Sequence, residues 1–115
     1  MRKVFSWVVA TLLVFVLVMF GAGSASAAAK IGVSMPTQSL QRWNQDGANM
    51  KAQFEAAGYE VDLQFGGDNQ VPVQVAQLEN MISGGCKVLV ISAIDGSALT
   101  TVLSDAKAQG IYVIA

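Results

Sequence analysis

Gly58, Gly84 and Gly110 stand at equal intervals of 26 residues. Each closes a helical pattern and precedes a strand-like run, so the chain repeats one helix-then-strand unit. Glycine is the usual residue just past a helix end, because it adopts the left-handed conformation without steric cost. The helical faces are read from apolar spacing. Trp43, Gly47, Met50, Phe54 and Ala57 share the first; Val71, Val75, Leu78 and Ile82 the second; Leu99, Val102, Leu103 and Ala106 the third. Strands fill the gaps. Val61, Leu63 and Phe65 alternate with Glu60, Asp62 and Gln64, whereas Val88 to Ile91 and Ile111 to Ile114 are continuously apolar. Alternation marks an edge strand with one solvated face, and a continuous apolar run marks a parallel strand covered on both faces.

An earlier strand, Ile31 to Ser34, completes the set. Right-handed crossovers then place strand one between an edge strand two and a buried strand three, followed by strand four. The expected fold is therefore a doubly wound α/β parallel sheet of order 2-1-3-4. Ligands of such sheets bind beyond the carboxyl ends of the strands, where the order reverses. Here that point lies between strands one and three, which directs attention to the loops Ser34 to Arg42 and Ser92 to Ser97.

The amino terminus has a separate logic. Arg2 and Lys3 precede the apolar run Val4 to Phe20, and Gly21 to Ala29 is a stretch of small residues. These are the three zones of a cleavable secretory signal, and Ala25-Ser26-Ala27 fits its small-x-small cleavage rule. Residues 1–27 are accordingly read as signal and residues 28–115 as the exported part. The competing reading is a membrane anchor, but Val4 to Phe20 is shorter than the roughly 20 apolar residues a spanning helix needs. The only cysteine, Cys86, lies far from the cleavage region and permits no internal disulfide. A soluble periplasmic product is the expectation.

Without the signal the composition is ordinary. The 53% apolar content is inflated by it, and from Ala28 onward five basic residues face eight acidic ones, a net charge of −3. No basic stripe is present, so nucleic acid is not expected as a partner. The run Ile111 to Ile114 reaches Ala115 with no helix after it to cover a buried strand four. About 86 mature residues bury only a modest share of their surface. The chain is therefore expected to be the front part of a longer protein, the alternative being a complete three-helix domain.

Most catalytic chemistry is missing. Histidine is absent from the sequence, which removes the imidazole base and metal ligand. No glycine-rich dinucleotide fingerprint and no phosphate loop follow a strand, and Gly66-Gly67-Asp68 reads as turn chemistry. Cys86 reads as a small buried apolar residue. Neither an enzyme nor a cofactor is expected.

The strand-end loops instead suit a polyhydroxylated ligand. A carboxylate accepts from neighbouring hydroxyls, a guanidinium fork donates to sugar oxygens, and an aromatic ring packs on the apolar C–H face of a pyranose. Arg42 and Trp43 at the start of the first helix, and Asp95 after strand three, are the candidates. Each has a structural alternative: Asp95, before Gly96-Ser97-Ala98, is a good helix cap, Trp43 continues a buried face, and Arg42 is a solvated charge.

Lys30-Ile-Gly-Val-Ser-Met-Pro-Thr37, Gln41-Arg-Trp43, Gln77-Leu-Glu-Asn-Met-Ile82 and Val88-Leu-Val-Ile-Ser-Ala-Ile-Asp-Gly96, in this order, resemble the amino-terminal lobe of the periplasmic sugar-binding proteins of ABC importers. Within that family they are most similar to the multiple-monosaccharide and xylose-binding group. The resemblance implies a two-lobed hinge protein that closes on one monosaccharide and docks on a membrane permease. Some members also present the closed form to a chemoreceptor or sensor kinase. By the same resemblance Arg42 and Asp95 contact the sugar, and the loop from Ser34 to Thr37 lines the cleft. The second lobe, with its share of ligand groups, is absent from these residues. Other readings of the same fold are a membrane-anchored sensor input domain, the effector core of a sugar-responsive repressor, and an importer component for a different small ligand. Export and the lack of a preceding DNA-binding module count against the repressor. If the signal is cleaved, the intact mass of the exported protein will place its first residue between Ala28 and Lys30; a mass that retains Val4 to Phe20 would instead establish the anchored form.

Overall fold

The computed structural model describes residues 28–115. The secretory segment and cleavage site expected from the sequence fall on residues 1–27, outside the described residues. Strand β1 (Lys30–Met35) leads to helix α1 (Gln41–Ala56), β2 (Glu60–Phe65), α2 (Val71–Ser83) and β3 (Cys86–Ile91). A 3₁₀ turn (Ser97–Leu99), helix α3 (Thr100–Ala108) and β4 (Tyr112–Ile114) complete the order. All pairings are parallel, and the strands stand in the order β2-β1-β3-β4, as expected from the crossovers.

The glycines do end the helices, with one displacement. Gly58 and Gly110 take left-handed φ values of 93° and 78°. After α2, however, Gly84 stays right-handed at φ −76° and Gly85 supplies the left-handed turn at φ 89°. The equal spacing of 26 residues is thus a property of the sequence, and the structurally equivalent position in the middle unit lies one residue later.

Two apolar layers sandwich the sheet. On one side Ile31, Val33 and Met35 of β1 are buried beneath Trp43, Met50 and Phe54 of α1, with Val61, Leu63 and Phe65 of β2 and Val88 and Val90 of β3 beside them. On the other, Leu78 and Met81 of α2 and Val102 and Ala106 of α3 pack with Leu99, Cys86, Leu89, Ile91 and Ile111. The α2 face thus carries Gln74 and Met81 as wholly buried positions, with Val75 and Ile82 at its margin. Ala57 lies past the end of α1 and is exposed.

Strand four departs from its apolar reading. Val113 packs into the α2–α3 layer, but Tyr112 and Ile114 are 76% and 59% exposed. Their side chains share the α1 face of the sheet, and α1 packs mainly on β1 and β2. Among the described residues β4 is an edge strand whose α1-side face is uncovered.

Gly32 explains how α2 reaches the centre of the sheet. A Cβ at Gly32 would stand 2.6 Å from Met81 Sδ and 2.8 Å from Leu89 Cδ2, both in buried side chains. The helix therefore sits closer to β1 than any side chain at this position would allow. Gly32→Val is expected to destabilise the full-length protein by roughly 1–3 kcal/mol, the usual cost of overpacking a core, as read from urea unfolding. The control is Gly96→Ala, whose added carbon meets nothing within 4 Å and whose effect should stay within about 0.5 kcal/mol.

Candidate functional site

The carboxyl ends of β1, β2 and β3 are tied together by backbone bonds that run past the strands. Ser92 N–H donates to Ser34 O at 2.9 Å, Gly66 N–H to Met35 O at 2.9 Å, and Gly67 N–H to Pro36 O at 2.7 Å. The three loops that follow then diverge around a crevice of about 390 Å³ lined by Pro36, Thr37, Leu40, Trp43, Gly67, Asp68, Asn69, Ala93 and Ile94. It lies where the strand order reverses, the position a doubly wound sheet offers a ligand.

Asp68 holds the β1 and β2 loops together. Its Oδ1 accepts from Thr37 Oγ1 at 2.7 Å and from Ser39 Oγ at 2.6 Å. Thr37 Oγ1 also accepts from Ser39 N–H at 3.1 Å. These hydroxyls lower the Asp68 pKa, Ser39 first and Thr37 second. The turn carrying Asp68 is tight: Gly67 has φ 105° and Asn69 has φ 53°, and asparagine is among the few non-glycine residues that visit this region.

Asp95 takes the capping role its sequence context allowed. Its Oδ1 accepts from Ser97 N–H at 2.9 Å, Ser97 Oγ at 2.7 Å and Ala98 N–H at 3.3 Å. Those bonds lower its pKa, the Ser97 hydroxyl contributing most. In both aspartates every recorded protein bond goes to Oδ1. One carboxylate oxygen fixes a loop, and the other makes no hydrogen bond among the described residues, in side chains that are exposed.

Of the residues singled out in the sequence, Thr37 and Trp43 line the crevice. Trp43 does so while packing on the Ile31, Val33 and Met35 layer, so the buried-face and ligand readings of this ring are compatible. Arg42 is at the rim: its guanidinium carbon sits 4.9 Å from the Trp43 ring centroid. Its Nε makes a long 3.4 Å contact to Asp46 Oδ2, with both side chains solvated. Asp95 borders the crevice in sequence, next to Ile94, and is not among its lining residues. Ser34 is not in the wall either. It is completely buried, and its hydroxyl accepts from Gln74 Nε2 at 3.0 Å. A residue facing α2 beneath the sheet end cannot present its side chain to the crevice.

Two residues of the site escaped sequence reading. Asp68 reads as turn chemistry, because its partners lie 31 and 29 residues away and leave no local pattern. Gln74 is polar, yet stands three residues after Val71 and four before Leu78. That spacing places it on the buried face of α2, and a polar residue there was the available signal. Cys86 behaves as read: it is buried, and burial pushes its thiol pKa up, with Asp62 adding to the effect.

Residues 31–115 match the family model of the periplasmic binding protein domain. Over 85 residues the chain is 53% identical to a multiple sugar-binding periplasmic protein of Azospirillum brasilense, covering 74% of this chain and 24% of that protein. It is 38% identical over 104 residues to a D-xylose-binding periplasmic protein of Haemophilus influenzae, covering 90% and 31% respectively. An ABC transporter solute-binding protein from Clostridium phytofermentans, solved with bound β-D-glucose, matches with a TM-score of 0.73 and 62% identity. That match covers 75% of this chain and 26% of the other. The chain therefore spans about a quarter to a third of the length of these proteins.

The two lowered carboxylates have a consequence for acid stability. A carboxyl whose folded pKa lies below its unfolded value contributes stability at pH above the unfolded value, and that contribution is lost as pH falls through the folded one. The window opens near the ordinary value of 3.8 and extends below it. In urea unfolding between about pH 2 and 6, bracketing the ordinary aspartate range, the Asp68→Asn/Asp95→Asn double variant should lose less stability on acidification than the unsubstituted protein. Identical acid limbs would remove these two groups from the account.

Proposed function

The chain belongs to the periplasmic binding protein domain family, and on that basis we propose that the full-length protein is the solute-binding component of an ABC importer, which captures a monosaccharide in the periplasm and delivers it to the membrane permease. Residues 1–27 are its secretory signal and residues 28–115 the first part of its amino-terminal lobe. A second lobe supplies the facing wall, and hinge closure around the sugar makes the form that the permease reads. A chemoreceptor or sensor kinase is a second possible reader of that form. Catalysis plays no part in this reading.

The observation that carries it is the composition of the crevice: an aromatic ring, Trp43, beside a hydroxyl–carboxylate pair, Thr37 and Asp68, where the strand order reverses. The ring suits the C–H face of a pyranose, and the outward oxygens of Asp68 and Asp95 suit its hydroxyls. Arg42, held over Trp43, donates from the rim in this reading. Ser34 supports this arrangement from below. The relatives' names and the glucose-bound neighbour support a sugar as the ligand class.

A thermal-shift panel on the full-length protein tests the ligand class. A sugar present at about 100 times its Kd adds roughly 2.7 kcal/mol to the stability of the form it binds, enough to raise the melting temperature by several degrees. Monosaccharides should produce that rise, and a response confined to non-sugar solutes would overturn the reading. Within the site, Asp95→Ala should weaken sugar binding by roughly tenfold or more, the scale for removing a charged hydrogen-bond partner. Unchanged affinity with lowered stability would leave Asp95 as a helix cap alone.

A further inference from the structure

Gln74 is completely buried although it carries a primary amide. Its Nε2 donates to Ser34 Oγ at 3.0 Å and to the Ser92 carbonyl at 3.0 Å, and its Oε1 accepts from Ile94 N–H at 2.9 Å. Both amide hydrogens and the carbonyl oxygen are thus engaged, and the three partners belong to two different strand ends. Ser34 is the penultimate residue of β1; Ser92 and Ile94 are the first and third residues after β3. These two strands bound the reversal of strand order, and the loop that Gln74 grips is the one that runs on into Asp95.

The packing around this amide leaves little room for another arrangement. A Cβ at Gly66 would lie 2.9 Å from Ile94 Cδ1, 3.2 Å from Gln74 Cβ and 3.3 Å from the Pro36 carbonyl. The exits of β1, β2 and β3 therefore close around the stem of Gln74 and the side chain of Ile94, and Ile94 is itself part of the crevice wall. The backbone groups of Ser92 and Ile94 that the amide satisfies have no partner of the ordinary sheet ladder, since β3 ends at Ile91.

We propose that Gln74 is the positioning residue of the site: from beneath the sheet end it fixes the Ser92 to Asp95 loop against β1, and so sets where Ile94 and Asp95 stand relative to the Trp43 and Asp68 side of the crevice. Its effect on ligand affinity rests on the sugar-binding reading above; its effect on the loop does not. Gln74 touches no ligand in this scheme. An apolar side chain of the same length would fill the space and release the loop, because it neither donates to Ser92 nor accepts from Ile94.

The test combines hydrogen exchange with sugar titration on the full-length protein, using Gln74→Met and, as a milder change, Ser34→Ala. In Gln74→Met the amide of Ile94 should exchange about tenfold faster or more than in the unsubstituted protein, the scale of one lost buried hydrogen bond, while the Val33 amide in β1 keeps its protection. The affinity for the responding monosaccharide should fall by a similar factor. Ser34→Ala, which removes one of three bonds, should give a smaller change of the same sign in both readouts. Equal acceleration at Ile94 and Val33 would mark Gln74 as a general core residue and overturn the proposal. So would unchanged affinity in Gln74→Met despite a released Ile94 amide. If the unsubstituted protein binds no monosaccharide, the sugar reading fails by itself, and the contrast between Ile94 and Val33 still decides whether Gln74 holds the loop.

Discussion

Everything at the ligand end of this fold hangs from β1. Ile31 to Met35 are buried without interruption, with parallel partners on both edges and helices on both faces. A strand covered on every side cannot slip by one residue without sending an entire apolar set to the wrong face. Ile31, Val33 and Met35 point towards α1, and Gly32 and Ser34 towards α2. Gly32 admits α2 to close range, and Ser34 then meets the amide that α2 brings. The register of β1 therefore decides at once where the α2 layer sits and where the loop after β3 is anchored.

From that fixed strand the loops are ordered by polar groups rather than by apolar packing. Asp68 joins the loops after β1 and β2, Gln74 joins the ends of β1 and β3, and Asp95 shapes the turn into α3. The two aspartates work at the surface, where hydrogen bonds add little net stability, whereas the amide works in a dry interior where unpaired partners are expensive. The inner bonds set the position of the loops, and the outer bonds set the direction of the carboxylates. Such a division leaves the exposed oxygens free for a ligand without making loop order depend on one.

Features generated by periodicity were legible in the sequence: three helix faces, four strands, their order and the loops at the reversal. Features generated by contact between distant residues were not. Nothing local distinguishes Asp68 from an ordinary turn residue, and Gln74 is revealed only by asking why an amide occupies an apolar spacing. Gly84 and Gly85 are adjacent, so the interval pattern could not say which one turns the chain. Strand four shows the limit of composition as a guide to burial: Ile111 and Val113 do pack against α3 and its layer, but Tyr112 and Ile114 face the side that α1 leaves bare. The resemblance of its loop implies a place for Ser34 in the cleft. Alternation along β1 turns its side chain the other way.

The crevice also carries an argument about when affinity arises. A hydrogen bond from a sugar hydroxyl to a carboxylate open to water replaces one to the solvent and contributes little net free energy. Asp68 and Asp95 are both in that condition here. Trp43 is half-buried by its own layer, and the Arg42 guanidinium stands over its ring. On the proposed reading these residues orient a pyranose, and strong binding requires a second wall that removes water from the same oxygens. On the proposed reading, the free energy of capture is therefore generated by closure rather than by first contact. On the same reading the front lobe contributes a preordered half of the site, and preorganisation spares the closing step the entropy of arranging these loops.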